Sequence, residues 1–185
     1  MLTGQELFDA GIITGEITED NIAQHGIDLN LIKVQRMNGA GFIPAKGKTK
    51  LVQYEEVYPR QTVVSEKEPD PFDTDGEIEA REVTAWCLEP GAYDITLAQG
   101  CDIPADKMLL IRQRSSLLRN GAILHSSVFD AGFKTDNIGT VLIVVQPIEI
   151  EVGARVCQIY AHDSNEVKNL YNGQWQNDKQ REGGK

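Results

Sequence analysis

The 185-residue sequence has three cysteines, Cys87, Cys101 and Cys157, and no CxxC pair. An odd number of well-separated cysteines makes no disulfide framework, and no signal-peptide-like apolar stretch stands at the N-terminus, so a reducing, cytoplasmic setting is expected. No run approaches the roughly 20 apolar residues of a membrane-spanning helix, so no membrane partner is expected. Histidine is scarce: His25, His125 and His162 occur without any H-x-E or P-C-x-x-C element, so a hydrolytic zinc site of that type cannot be assembled. Basic residues are outnumbered, Lys+Arg 18 against Asp+Glu 28 for a net charge of −10, which argues against a broad basic face for nucleic-acid polymers or anionic lipid.

What remains is ordinary globular material. With 41% hydrophobic and 25% charged residues the chain can bury a core, and its length suits one domain spanning 1–185. The acidity is local: residues 55–82 hold ten acids against three bases, a net of −7, and their Pro59, Pro69, Pro71 and Gly76 read as a solvated loop or arm facing away from any phosphate site. The tail from about Asn172 has little apolar content and is expected to be mobile until something orders it.

Thr3 followed by Glu6, ahead of Leu7 and Phe8, predicts a capping box and a short N-terminal helix ending near Gly11. From Ile27 the pattern alternates, and further strand-like runs stand at 50–54, 82–88, 93–98, 108–111, 140–146 and 155–161. Many short strands with few helices predict a mainly β sandwich or barrel.

Arg114-Ser115-Ser116-Leu117-Leu118-Arg119 sets two hydroxyls between two guanidiniums, a donor set that suits phosphate oxygens; a helical turn with a surface arginine pair is the plainer alternative. Phe129-Asp130-Ala131-Gly132-Phe133 places an acid that could orient a water beside an aromatic face that could pack on a sugar, although an isolated segment of this kind also reads as a hairpin turn.

Taken in order, the N-terminal helix, His25-Gly26-Ile27-Asp28-Leu29, the RSSLLR stretch, Asp130-Ala131-Gly132-Phe133, Gly153-Ala154-Arg155-Val156-Cys157-Gln158 and Tyr171-Asn172-Gly173-Gln174-Trp175-Gln176 resemble the dCTP deaminase and dUTPase superfamily. The resemblance covers most of the chain, most strongly Ile103 to Gln176. It implies a β-clip, a distorted barrel assembled as a homotrimer, with active sites at subunit interfaces and Mg²⁺ bridging the phosphates of a deoxynucleoside triphosphate. It further implies that Arg114, Ser115, Ser116 and Arg119 hold phosphates and that Asp130 positions the hydrolytic water or the sugar hydroxyl. Phe133 would pack on the deoxyribose, Asp28 would support the metal through water, and Gln158, Tyr171, Gln174 and Gln176 would close over the triphosphate.

The sequence departs from the family pattern at three places. Deaminases of the family carry a glutamate in a V-L-E context; here Val141-Leu142-Ile143 matches, and counting from Gly139 selects Val144 instead. Neither side chain transfers a proton. The turn from Lys134 to Ile138 is longer than the family's, and Gln174 stands where a lysine is common. Hydrolysis of dUTP or a related deoxynucleoside triphosphate to monophosphate and pyrophosphate is therefore the leading expectation. Zinc-independent dCTP deamination and a non-catalytic nucleotide-binding regulator are the alternatives.

Overall fold

Thr3 caps the first helix, α1 (Gly4–Asp9), as its spacing predicts. The Glu6 N–H donates to Thr3 Oγ1 at 3.2 Å, and Glu6 Oε2 accepts from the Thr3 N–H at 2.8 Å. Leu7, fully buried, fastens this helix to the core.

The computed structural model describes residues 1–65, 80–125 and 127–178. After α1 the chain is almost entirely strand and loop: β1 (Ile13–Thr14), β2 (Ile27–Asn38), β3 (Gln53–Glu56), β4 (Arg60–Ser65), β5 (Ala80–Leu88), β6 (Gly91–Leu97), β7 (Gly100–Asp102) and β8 (Lys107–Gln113). A five-residue helix, α2 (Ser115–Arg119), precedes β9 (Ala122–His125), β10 (Lys134–Thr135), β11 (Gly139–Val144), β12 (Ile148–Glu151) and β13 (Arg155–Asp163). The principal sheet runs β8-β13-β2-β6-β11-β9 with β3 also on β2, and β1-β7-β10 and β12-β5-β4 form two smaller sheets. This is a mainly β, barrel-like architecture, within the sandwich-or-barrel class that the strand pattern predicts and in keeping with the distorted barrel that the resemblance implies.

The core is built from alternate residues of the principal sheet: Ile27, Leu29 and Leu31 on β2, Tyr93, Ile95 and Leu97 on β6, Leu142 and Val144 on β11, Cys157, Ile159 and Ala161 on β13. β2 runs well past its expected end. Its register shifts between Leu31 and Lys33, so the next buried residue is Val34 rather than residue 33, and the period-2 signal changes phase inside one strand.

Residues 55–82 are not one continuous solvated loop. β3 and β4 occupy 53–56 and 60–65, β5 begins at Ala80, and β4 pairs with β5 along its whole length. The expected orientation of the most acidic part, 66–79, lies outside the described residues, as does the tail beyond 178.

Candidate active site

One group of predicted site residues gathers where β2 and β13 run side by side. At Gly26 a Cβ would lie 2.3 Å from the Ile159 carbonyl oxygen and 3.0 Å from Gln158 Cγ, so only glycine lets the chain pass β13 this closely. Two residues on, Asp28 pairs directly with Gln158 across the ladder, and Gln158 Nε2 donates to Asp28 Oδ1 at 3.3 Å. Asp28 Oδ2 faces Arg114 Nε at 3.3 Å and Arg155 Nη1 at 3.9 Å. The Asp28 side chain is 8% exposed, whereas those of Arg114 and Arg155 are 37% and 35% exposed.

This arrangement fixes two guanidiniums while leaving part of each open to solvent. Arg155 Nη1 also donates to the Asp20 carbonyl, Arg114 Nη1 to the Arg155 carbonyl at 3.4 Å, and the Arg114 N–H to the Val156 carbonyl at 3.0 Å. One carboxylate against two guanidiniums leaves a net positive site with planar donors, the chemistry that suits phosphate oxygens. Leu117 is buried and anchors α2, which leaves the hydroxyl-bearing Ser115 and Ser116 exposed at its start and Arg119 exposed at its end. Next to Gln158, Cys157 is fully buried, and burial, with the Asp28 charge adding, pushes its thiol up, so it is a packing residue rather than a nucleophile.

The second group forms around the turn at 130–133. The Phe133 N–H donates to the Asp130 carbonyl at 3.0 Å and the Gly132 N–H to the Ile103 carbonyl at 2.8 Å. Gly132 has φ +85°, and a Cβ there would lie 2.6 Å from Leu170 Cβ, so both backbone and space demand glycine. The tail lies against this turn: the Tyr171 N–H donates to the Ala131 carbonyl at 2.8 Å, Gln176 Nε2 donates to the Gly132 carbonyl at 2.8 Å, and Gln176 Oε1 accepts from the Lys134 N–H at 3.2 Å. Phe133 stands edge-on to Tyr171, centroids 5.5 Å apart, and tilted to Phe129 at 5.7 Å.

Asp130, Phe133, Tyr171 and Trp175 line a cavity of about 530 Å³ whose other walls include Tyr54, Asp94, Ser127 and Gly139. Asp130 is exposed and Phe133 is 9% exposed, so the acid stands at the rim and the ring in the wall. The longer turn does not project into the cavity. Lys134 and Thr135 pair with β7, and Asn137 Nδ2 donates to the carbonyls of Leu97 and Ala98 at 3.0 and 3.1 Å.

Asp28, Arg114, Ser115, Ser116, Arg119 and Gln158 contribute nothing to the lining of this cavity, so the predicted site residues form two separate groups within one chain. Gln174 is half-buried in the tail beside Trp175 and also lies outside the lining. Ile143 is 42% exposed and Val144 is buried in the core, and neither lines the cavity. Sequence reading missed Asp94 and Tyr54: each sits in a strand-like run, and only the fold brings them to the wall of one cavity with Asp130 and Phe133.

A dCTP deaminase-like family model matches residues 4–164. The deoxyuridine 5'-triphosphate nucleotidohydrolase of Methanocaldococcus jannaschii is 32% identical over 172 residues, covering 92% of this chain and 93% of that protein. A Halobacterium salinarum protein described as a "probable deoxyuridine 5'-triphosphate nucleotidohydrolase" is 30% identical over 163 residues, covering 88% and 87%. The crystal structure of 2'-deoxycytidine 5'-triphosphate deaminase from Agrobacterium tumefaciens aligns with a TM-score of 0.55 at 17% identity, over 85% of this chain and 45% of that one, so this chain spans under half of its length. With the family model covering nearly all of the barrel and these relatives aligned along most of their length, the chain belongs to the dCTP deaminase-like family.

Proposed function

We propose that the protein hydrolyses dUTP to dUMP and pyrophosphate. The observation that carries this reading is the placement of Asp130 and Phe133 in one turn on one cavity, while the positions that would hold a deaminating acid, Ile143 and Val144, are apolar and outside it. The names of the archaeal relatives support it.

In this reading the nucleoside enters the cavity with its sugar against the Phe133 ring. Asp130 at the rim orients a water and accepts its proton as the oxygen attacks the α-phosphorus. The new P–O bond forms as the bond from the α-phosphorus to the bridging oxygen breaks, and pyrophosphate leaves with that oxygen. Arg114, Ser115, Ser116 and Arg119 donate to phosphate oxygens, and Asp28 with Gln158 holds the guanidinium group in place. Tyr171, Gln174 and Gln176 close the tail over the bound triphosphate, which excludes water from the phosphates.

The phosphate-binding group lies off the cavity of its own chain, so the site is completed by a second copy, in a homotrimer whose interfaces each unite one group from either chain. Among the described residues no three His, Cys, Asp or Glu side chains form a metal cluster, and the donors shown beside the Asp28 carboxylate are two guanidiniums and the Gln158 amide. That set offers a resident cation no ligand besides Asp28, whose charge two guanidiniums already share; Mg²⁺ would come in with the triphosphate, with Asp28 supporting it through water, and would neutralise developing charge on the phosphates. A cytoplasmic location accords with a nucleotide substrate, and no helix among the described residues is long and apolar enough to cross a membrane.

Incubating the purified protein and Mg²⁺ with a panel of deoxynucleoside triphosphates tests the reading. Pyrophosphate release from dUTP is expected, with a loss of about 10²- to 10⁴-fold in kcat for Asp130→Ala. Absence of pyrophosphate from every nucleotide, or full activity in that variant, would sink it, and ammonia release from dCTP would point to deamination instead.

A further inference from the structure

Tyr93, Ile95 and Leu97 of β6 point into the core, so Asp94 between them faces the other side of the sheet. Aspartate is disfavoured in strands, and burying a carboxylate is costly unless its surroundings supply donors. Yet Asp94 is 4% exposed, and it lines the same cavity as Asp130 and Phe133. The ladders place it in a cross-strand row, Gln35 on β2, Asp94 on β6, Val141 on β11 and His125 on β9. Asp130 stands exposed at the rim, whereas Asp94 belongs to the buried wall.

We infer that Asp94 is a specificity-determining residue of this site, accepting a hydrogen bond from the ring N–H of a uracil-type base. The inference rests on the proposed nucleotide reading and adds base selection to it. An ionised carboxylate only accepts hydrogen bonds. The pairing edge of uracil offers one donor, the N3–H, between two carbonyl acceptors. Cytosine presents a lone pair at N3, so a carboxylate facing that position repels it. A carboxylate that meets a donor on one base and a lone pair on the other separates the two far more than a missing apolar contact does. Asp130 stands at the rim, and the 134–138 turn, bonded to β6 and β7, is not part of the cavity lining.

The test uses the full-length protein, its Asp94→Asn and Asp94→Ala variants, and Asp130→Ala as the catalytic control. Pyrophosphate release from dUTP and dCTP is measured alongside calorimetric binding of the non-hydrolysable analogue dUpNHpp and its cytosine counterpart. Asp94→Asn preserves size but offers an amide that can turn either face. It is expected to raise KM for dUTP about 10- to 100-fold with kcat within about threefold, and to compress the preference for uracil over cytosine by a similar factor. Equal binding of the two analogues by the wild-type protein overturns the inference whether or not any variant folds. An unchanged uracil-to-cytosine ratio in a folded Asp94→Asn also overturns it. Failure of the hydrolase reading is seen separately, as absent turnover in the wild type, and the binding ratio still decides the role of Asp94 in that case.

Discussion

Gln158 Nε2 donates to Asp28 Oδ1 at 3.3 Å, and the two residues are direct partners in the β13–β2 ladder. Backbone register therefore fixes the pair, and with one carboxylate oxygen held by the amide the other faces Arg114 and Arg155. Asp28→Asn keeps the shape and removes the charge that both guanidiniums share. Because those arginines are about one-third exposed and can turn to water, a cost of about 1–3 kcal/mol is expected rather than that of a fully buried broken pair. The variant should melt several degrees lower by circular dichroism, and its KM for dUTP should rise more than its kcat falls.

Gln176 joins the tail to the substrate-side turn through both ends of its amide, one bond to Gly132 and one to Lys134. Gln176→Glu converts the donor into a second acceptor opposite the Gly132 carbonyl, so repulsion replaces one of the two bonds. Faster amide hydrogen exchange across 172–178 and a KM raised about 3- to 30-fold are expected, with little change in melting temperature because no core residue is touched. Unchanged exchange in that segment would show that other contacts hold the tail.

The fold was legible where apolar residues alternate without interruption, as at 27–31 and 157–161, and where a cap has its own spacing, as at Thr3 and Glu6. It was not legible where a strand is too short to show a period, as in β1, β7 and β10, or where a bulge changes the phase within β2. The RSSLLR and DAGF stretches were visible as chemistry because hydroxyls, guanidiniums, an acid and a glycine turn stand close in sequence. Asp94 was not visible: an aspartate at an outward strand position looks solvated, and only the fold brings residues of 51–54, 127–133 and 171–175 to the same cavity wall. The separation of Asp28 and Arg114 from the cavity of the same chain is likewise a property of the folded barrel that no local spacing encodes.

Cys101 is fully buried, and burial, with the neighbouring Asp102 charge adding, pushes its thiol from 9.0 to about 12; burial raises Cys157 as well. Above pH 9 the unfolded chain ionises these thiols while the folded protein keeps them protonated. Unfolding then releases protons, so this stabilising contribution, complete below pH 9, is lost as pH rises toward 12. Each thiol contributes a slope of up to about 1.4 kcal/mol per pH unit in that window. Urea denaturation at pH 8 and pH 10 should show the wild type losing more stability than Cys101→Ala over the same interval. An equal loss in both proteins would show that Cys101 does not carry the effect.

If each site takes its phosphate-binding group from one chain and its cavity from another, two inactive variants should repair one another. Arg114→Ala removes a phosphate donor and leaves the cavity intact; Asp130→Ala removes the rim acid and leaves the arginine pair intact. Neither substitution touches a core residue, so both chains should fold and assemble. Co-expressed with different affinity tags and purified through both, the mixed oligomers contain interfaces that unite an intact phosphate group with an intact cavity. Every mixed trimer selected in this way holds one interface of that kind among its three, so dUTP turnover should recover to about a third of the wild-type rate per chain. Each variant alone should stay at least 10²-fold below it. Were both groups to act within a single chain, no mixed interface would hold a complete site, and the mixture would show only the average of its two inactive parents.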